Sequence, residues 1–181
     1  MMIVLNKPYG VLSQFTDNET PQRPTLSEFG LPADVYPAGR LDQDSEGLLL
    51  LSNDGARITQ ISSPTFKWPK TYLLQVEGVA TEEQLEALAN GLTLNDGPTL
   101  PAKARSLQVV PDWLWSRDPP IRTRKSVPDS FVELTIREGR NRQVRRMSAA
   151  VGLPTLRLIR IAIGPYRLDG LAPGQWREES I

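Results

Sequence analysis

The apolar positions of this chain come in short blocks with distinct periods, and the blocks predict most of its elements. Residues 2–5 form a continuous apolar run that ends in NKPYG, where Pro8 and Gly10 mark a turn, so the chain opens on a short strand. Residues 14–34 are rich in Pro, Thr and acids and predict an irregular segment with one helical turn near residues 26–29. Residues 47–52, GLLLLS, predict a strand buried on both faces and bounded by the Asn53-Asp54-Gly55 turn. Asp54 is placed to cap a helix running through Ile61.

Alternation returns over residues 70–76, a strand, and Thr81-Glu82-Glu83-Gln84 is a capping box opening a helix that ends near Gly91. A short extended piece at 92–94, a turn at 95–98 and a strand at 102–109 follow. Residues 111–129, PDWLWSRDPPIRTRKSVPD, hold two tryptophans, four prolines and four basic residues, too proline-rich for a regular element. Beyond them the pattern predicts a strand at 131–137, a helix at 142–151 with Val144 and Met147 facing inward, a strand at 155–163 and a last short strand at 175–177. Strands outnumber helices, and many of the turns between them are too short to hold a crossover helix. The expected class is α+β, a mixed, largely antiparallel central sheet with flanking helices. We expect one domain of two subdomains sharing that sheet, about 1–60 with the C-terminal part and about 61–181.

Composition then narrows the chemistry. The chain has no cysteine and no histidine, which removes disulfides, thiol nucleophiles, imidazole bases and the usual zinc and iron–sulfur sites. Chemistry falls to Asp, Glu, Lys, Arg, Tyr or Ser, with no metal and no cofactor expected. No apolar run approaches the roughly 20 residues that a membrane helix needs, and the start lacks a signal-peptide pattern, so the chain reads as cytoplasmic with no membrane contact. The formal net charge is zero, yet residues 1–60 carry four basic and eight acidic side chains, whereas Arg137 to Arg167 contains eight arginines and one acid, Glu138. Such a cluster attracts phosphates whatever the average charge, although a solvated basic surface has the same composition.

The stretch GRLDQDSEGLLLLSNDG, residues 39–55, sets an arginine and several carboxylates against four leucines. Burying an ionised carboxylate is costly unless it is paired and hydrogen-bonded, so at least one of these acids has a reason to stand there. The string resembles the signature of the bacterial pseudouridine synthases that modify ribosomal RNA, in which a Gly-Arg-Leu-Asp loop precedes an apolar strand. The opening segment 3–11, Lys70-Thr71-Tyr72, and GRNRQVRRM (139–147) followed by LRLIRIAIG (156–164) resemble the other motifs of that family in the same order. The insert strings WLW and RDPPIRTRKS and the segment NDGPTLPA narrow the resemblance to members acting on large-subunit 23S ribosomal RNA. Many members begin with a small S4-like RNA-binding domain; here the catalytic-type motifs start at once, and no S4 domain is expected.

The resemblance implies the pseudouridine synthase fold with a catalytic cleft, and a cofactor-free isomerisation in which uracil is detached from ribose C1′, turned, and rejoined through C5. It places the essential aspartate at Asp42, the loop arginine at Arg40, the strand tyrosine at Tyr72, the late arginine at Arg145 and the apolar position beside the target base at Leu158. Breaking a glycosidic bond leaves positive character at the sugar carbon, which a carboxylate can stabilise or capture. Arg145 is expected to keep Asp42 ionised, Arg40 to grip RNA, and Tyr72 to stack on the uracil or help remove the C5 proton. Arg140, Arg142, Arg146, Arg157 and Arg160 are expected to hold phosphates, offsetting the few kcal/mol of extruding a base. Trp113, Trp115 and the basic cluster at 122–125 either add stacking and charge or only pack the insert.

Gln43, Asp44 and Glu46 are expected to be exposed loop groups or local hydrogen-bond acceptors, with Asp44 also open to binding a base edge or backbone, and Asp54 is expected to be a cap or turn residue. The expected partner is large-subunit ribosomal RNA, with no protein partner implied and a monomer expected. Two alternatives stay open: a synthase of the same family acting on another RNA, and a non-catalytic RNA-binding or ribosome-assembly factor.

Overall fold

The computed structural model describes residues 1–66, 68–122 and 126–180. The chain divides into two compact units, Met1–Lys67 with Arg160–Ile181, and Trp68–Ile159.

In the first unit, β1 (Met2–Lys7) runs antiparallel between β3 (Glu46–Ser52) and β11 (Trp176–Glu179), with Val4 opposite Leu50 on one side and Arg177 on the other. β2 (Tyr36–Pro37) joins β3, and β10 (Tyr166–Arg167) folds back on Ala162 and Ile163, the end of β9 (Thr155–Ile163). The two-faced burial expected of the leucine block is found along the whole of β3 and β1, and it takes in Asn6, Lys7, Ser52 and Glu46, which is thus a buried strand residue and not an exposed loop acid. Ile3, Leu5, Leu49 and Leu51 form one core with Val11, Leu26, Val35 and Leu41. The expected helical turn spans Leu26–Phe29 and is capped by Thr25. Asp54 caps α1 (Gly55–Ser62) by accepting from the Ala56 and Arg57 N–H groups at 3.0 and 3.4 Å.

In the second unit, β8 (Asp129–Ile136) lies antiparallel between β4 (Lys70–Glu77) and β7 (Lys103–Leu107). α2 (Glu82–Asn90) opens on the expected capping box, Thr81 with Gln84. Its Leu85 and Leu88, with Val144 and Met147 of α3 (Gln143–Ala150), cover Tyr72, Leu74, Val76, Leu134 and Ile136 of the sheet. Beyond α2, the hairpin of β5 (Thr93–Leu94) and β6 (Gly97–Pro98) carries Asn95 and Asp96 at its turn. Gly91, at φ +93°, starts this hairpin because a Cβ there would sit 2.6 Å from the Thr99 carbonyl oxygen.

The boundaries of four strands differ most from expectation, the first being β1, which runs on to Lys7. β7 ends at Leu107, leaving Val109 and Val110 exposed, and β8 starts at Asp129, inside the proline-rich stretch, where register with Glu77 holds it. The last strand is shifted to Trp176–Glu179 by its pairing with β1. Among the described residues between 111 and 128 there is no helix or strand, as the prolines predict; residues 123–125 of the expected basic cluster lie outside the described residues. The division between the units falls within β9, after Ile159. No helix among the described residues is long and apolar enough to cross a membrane.

Candidate active site

The first unit carries Asp42 on a loop that is tied on both sides. Leu41 is buried just before it, Ser45 and Glu46 are buried just after, and Asp42 itself is exposed. The Leu41 N–H donates to Ser13 Oγ at 3.0 Å, and Ser13 Oγ donates back to the Leu41 carbonyl at 2.6 Å. On the other side, the Gly10 N–H donates to the Gln43 carbonyl at 2.8 Å, and Gln43 Nε2 donates to the Gly10 carbonyl at 3.1 Å. The Ser45 N–H closes the turn on the Asp42 carbonyl at 3.0 Å. Arg40 Nη2 donates to Gln14 Oε1 at 3.1 Å. Segment 10–14 thus clasps the loop residue by residue, and a loop held this way presents its acid in one position.

Beneath the clasp lies a residue that pattern reading passed over. Lys7 ends β1 with no solvent exposure, and its ammonium donates to the carbonyls of Pro8 and Val11 at 2.8 Å each and of Gln43 at 3.5 Å. Burial pushes the amine down to about 7, with Arg160 adding to the push, against the opposing pull of the Glu46, Asp44 and Asp42 carboxylates. The one available signal is a lysine following an apolar run and an asparagine, and sequence alone does not separate that from a solvated strand end.

Arg160, expected to meet RNA, is buried at 4% exposure. Its Nε donates to the Leu48 carbonyl at 2.9 Å and its Nη1 to the Arg40 carbonyl at 3.5 Å, so it braces the Asp42 loop from behind and has no surface to offer a phosphate. Arg157 needs the same correction within the second unit. It is also buried at 4%, donates to the Trp115 carbonyl at 2.9 Å and lies 5.5 Å from the Trp115 ring centroid, so it anchors the insert. Trp113 packs 5.8 Å from Trp115 and stays half exposed.

The second unit brings Tyr72, Leu158 and the arginine helix together. Tyr72 and Leu158 share one core with Val144 and Met147 of α3, the helix that carries Arg145, which is half-buried. Arg142, the residue before α3, is exposed and left-handed at φ 52°, an unusual conformation for a residue with a side chain. Arg140 and Arg146 converge on Asp96 of the β5–β6 turn. Arg146 beside it holds the Asp96 carboxyl below the usual carboxylate range.

The chain belongs to the RNA pseudouridylate synthase family, whose model matches residues 1–150. It is 64% identical over 180 residues to the ribosomal large subunit pseudouridine synthase E of Xanthomonas axonopodis pv. citri, covering 99% of this chain and 94% of that protein. It is 52% identical to the protein of the same name from Vibrio vulnificus, covering 99% of this chain and 75% of the relative. A crystal structure of a pseudouridylate synthase matches with a TM-score of 0.78 at 34% identity, covering 99% of this chain and 70% of that one, so the fold is the pseudouridine synthase fold.

Proposed function

We propose that this chain isomerises one uridine of large-subunit ribosomal RNA to pseudouridine in the cytoplasm, with Asp42 as the essential carboxylate. The reading draws on the similarity to the large-subunit synthases and on one structural observation: Asp42 is the exposed acid of a loop whose neighbours are fixed on both sides. The overall change is an isomerisation. The C1′–N1 bond breaks, C1′ bonds to C5, the C5 proton leaves, and N1 ends with a proton, so no oxidant or cofactor is consumed.

In this reading the Asp42 carboxylate stabilises or captures the electron-poor centre formed as the glycosidic bond breaks, which requires it to be ionised and held still. On the family resemblance, Tyr72 stacks on the extruded uracil, Arg145 serves the same reaction, Arg40 grips the RNA strand, and Leu158 packs beside the base. Arg142 on the exposed rim of α3 contributes phosphate contact.

The test is to map pseudouridines by chemical reactivity in ribosomal RNA from cells with and without this chain, then restore it as wild type or Asp42→Asn. Loss of one mark, restored by wild type alone, supports the assignment. An unchanged map points to another RNA target, and restoration by Asp42→Asn removes Asp42 from the chemistry.

A further inference from the structure

Asp96 sits half exposed at the tip of the β5–β6 hairpin, and two guanidinium groups close on its carboxylate. Arg146 donates through Nη1 to Oδ1 at 2.8 Å and through Nη2 to Oδ2 at 3.1 Å, a two-point grip, and Arg140 Nη1 donates to the same Oδ1 at 3.0 Å. Each arginine also has a contact besides that carboxylate. Arg140 Nη1 also reaches the Asp96 and Gly97 carbonyls at 3.3 Å each, and Arg146 Nε donates to the Asn141 carbonyl at 3.0 Å. Glu138 is a second carboxylate beside this cluster: its Oε2 pairs with Arg140 Nε at 3.6 Å, while its Oε1 accepts from Gln143 Nε2 at 3.0 Å and from the Leu100 N–H at 2.8 Å. Arg140 Nη2 is buried and has no hydrogen-bond partner among the described residues.

Two planar forks meeting at one oxygen form an anion seat, and the geometry that accepts a carboxylate edge accepts a phosphate edge equally well. Asp96, the acidic member, stands half exposed at the hairpin tip, within reach of solvent and ions, so a polyanion can compete for its place. We infer that Arg140 and Arg146 form a seat for one backbone phosphate of the RNA substrate, and that Asp96 is the chain's own anion, holding that seat until RNA displaces it. The inference rests on the proposed function only in taking RNA as the ligand. Asp96 keeps both arginines aligned in the absence of RNA. It also sets a threshold that a loosely bound strand fails to pass.

The seat is tested with Asp96→Asn, and Asp96→Ser as a second neutral variant, by fluorescence anisotropy with a labelled oligouridine across a potassium chloride series. Removing the internal anion is expected to tighten binding several-fold at low salt and to steepen the plot of log affinity against log salt by up to about one, since wild type sheds fewer ions when phosphate replaces carboxylate. Adding Arg146→Gln to Asp96→Asn is expected to abolish the gain. Unchanged or weaker binding by both neutral variants overturns the inference and makes Asp96 a brace only. Pseudouridine formation by wild type, followed in parallel, separates the two readings: turnover without an Asp96 effect defeats the seat alone, whereas absence of RNA binding and turnover in wild type defeats the proposed function as well.

Discussion

Gly10 and Gln43 exchange two hydrogen bonds, the Gly10 N–H to the Gln43 carbonyl at 2.8 Å and Gln43 Nε2 to the Gly10 carbonyl at 3.1 Å. Gly10 takes φ +87°, a conformation that a side chain disfavours even though a Cβ there would meet no atom within 4 Å. The opening turn is thereby locked to the residue that follows Asp42.

Gln43→Ala removes one of these bonds and Gly10→Ala strains the turn. Each is expected to lower kcat by about tenfold to a hundredfold, because small misplacement of a reacting group has that effect, while RNA affinity stays near wild type. Single-turnover kinetics beside a binding titration check this. Equal losses in binding and turnover would assign the clasp to substrate binding.

The Lys7 amine gives stability a pH dependence of definite sign. Its folded value of about 7 lies below the ordinary 10.5, so between those limits the unfolded chain binds more protons than the folded one and stability rises with pH. Below about 7 both states are protonated and the cost of burying the charge is borne in full. Denaturant unfolding through this window is expected to show a gain of up to about 1.4 kcal/mol per pH unit from this group, and Lys7→Met to abolish it.

Asp17 gives a dependence of the same sign at acid pH. Its carboxylate accepts from Arg23 Nε and Nη2 at 3.1 and 2.9 Å and from the Arg23 N–H at 2.7 Å, which holds it well below the ordinary carboxylate range. The stability it contributes is present above the unfolded value and is lost as pH falls through the folded one. Asp17→Asn is expected to lower the melting temperature at neutral pH and to flatten its decline in acid, as scanning calorimetry at several pH values will show.

Arg142 holds a left-handed backbone at φ 52°, which costs a residue with a side chain roughly 1–2 kcal/mol. Arg142→Gly relieves that strain and is expected to raise unfolding free energy by about 1 kcal/mol while reducing both RNA affinity and the salt slope. A less stable variant would show that contacts of the Arg142 side chain outweigh the strain.

The local rules that read well from sequence were those whose partners lie a few residues apart. Asp54 capping α1, Thr81 with Gln84 opening α2, and Val144 with Met147 facing one core are all relations within one helical turn. Strand ends read less well, because they depend on pairing with distant strands: β8 begins at Asp129 opposite Glu77, and the partner of β11 is β1, at the other end of the chain.

The class, the family motifs and the position of Asp42 on a loop ahead of a buried strand are legible in the residue pattern alone. What the long cationic side chains do emerges with the packed fold. Arg140 and Arg146 find Asp96 across 44 and 50 residues, Arg157 finds Trp115 across 42, and Arg160 finds Leu48 across 112. The physical reason is reach. A lysine or arginine carries its charge several bonds from the backbone, so its partner is whatever the fold brings near that distant tip, and neither composition nor periodicity records it.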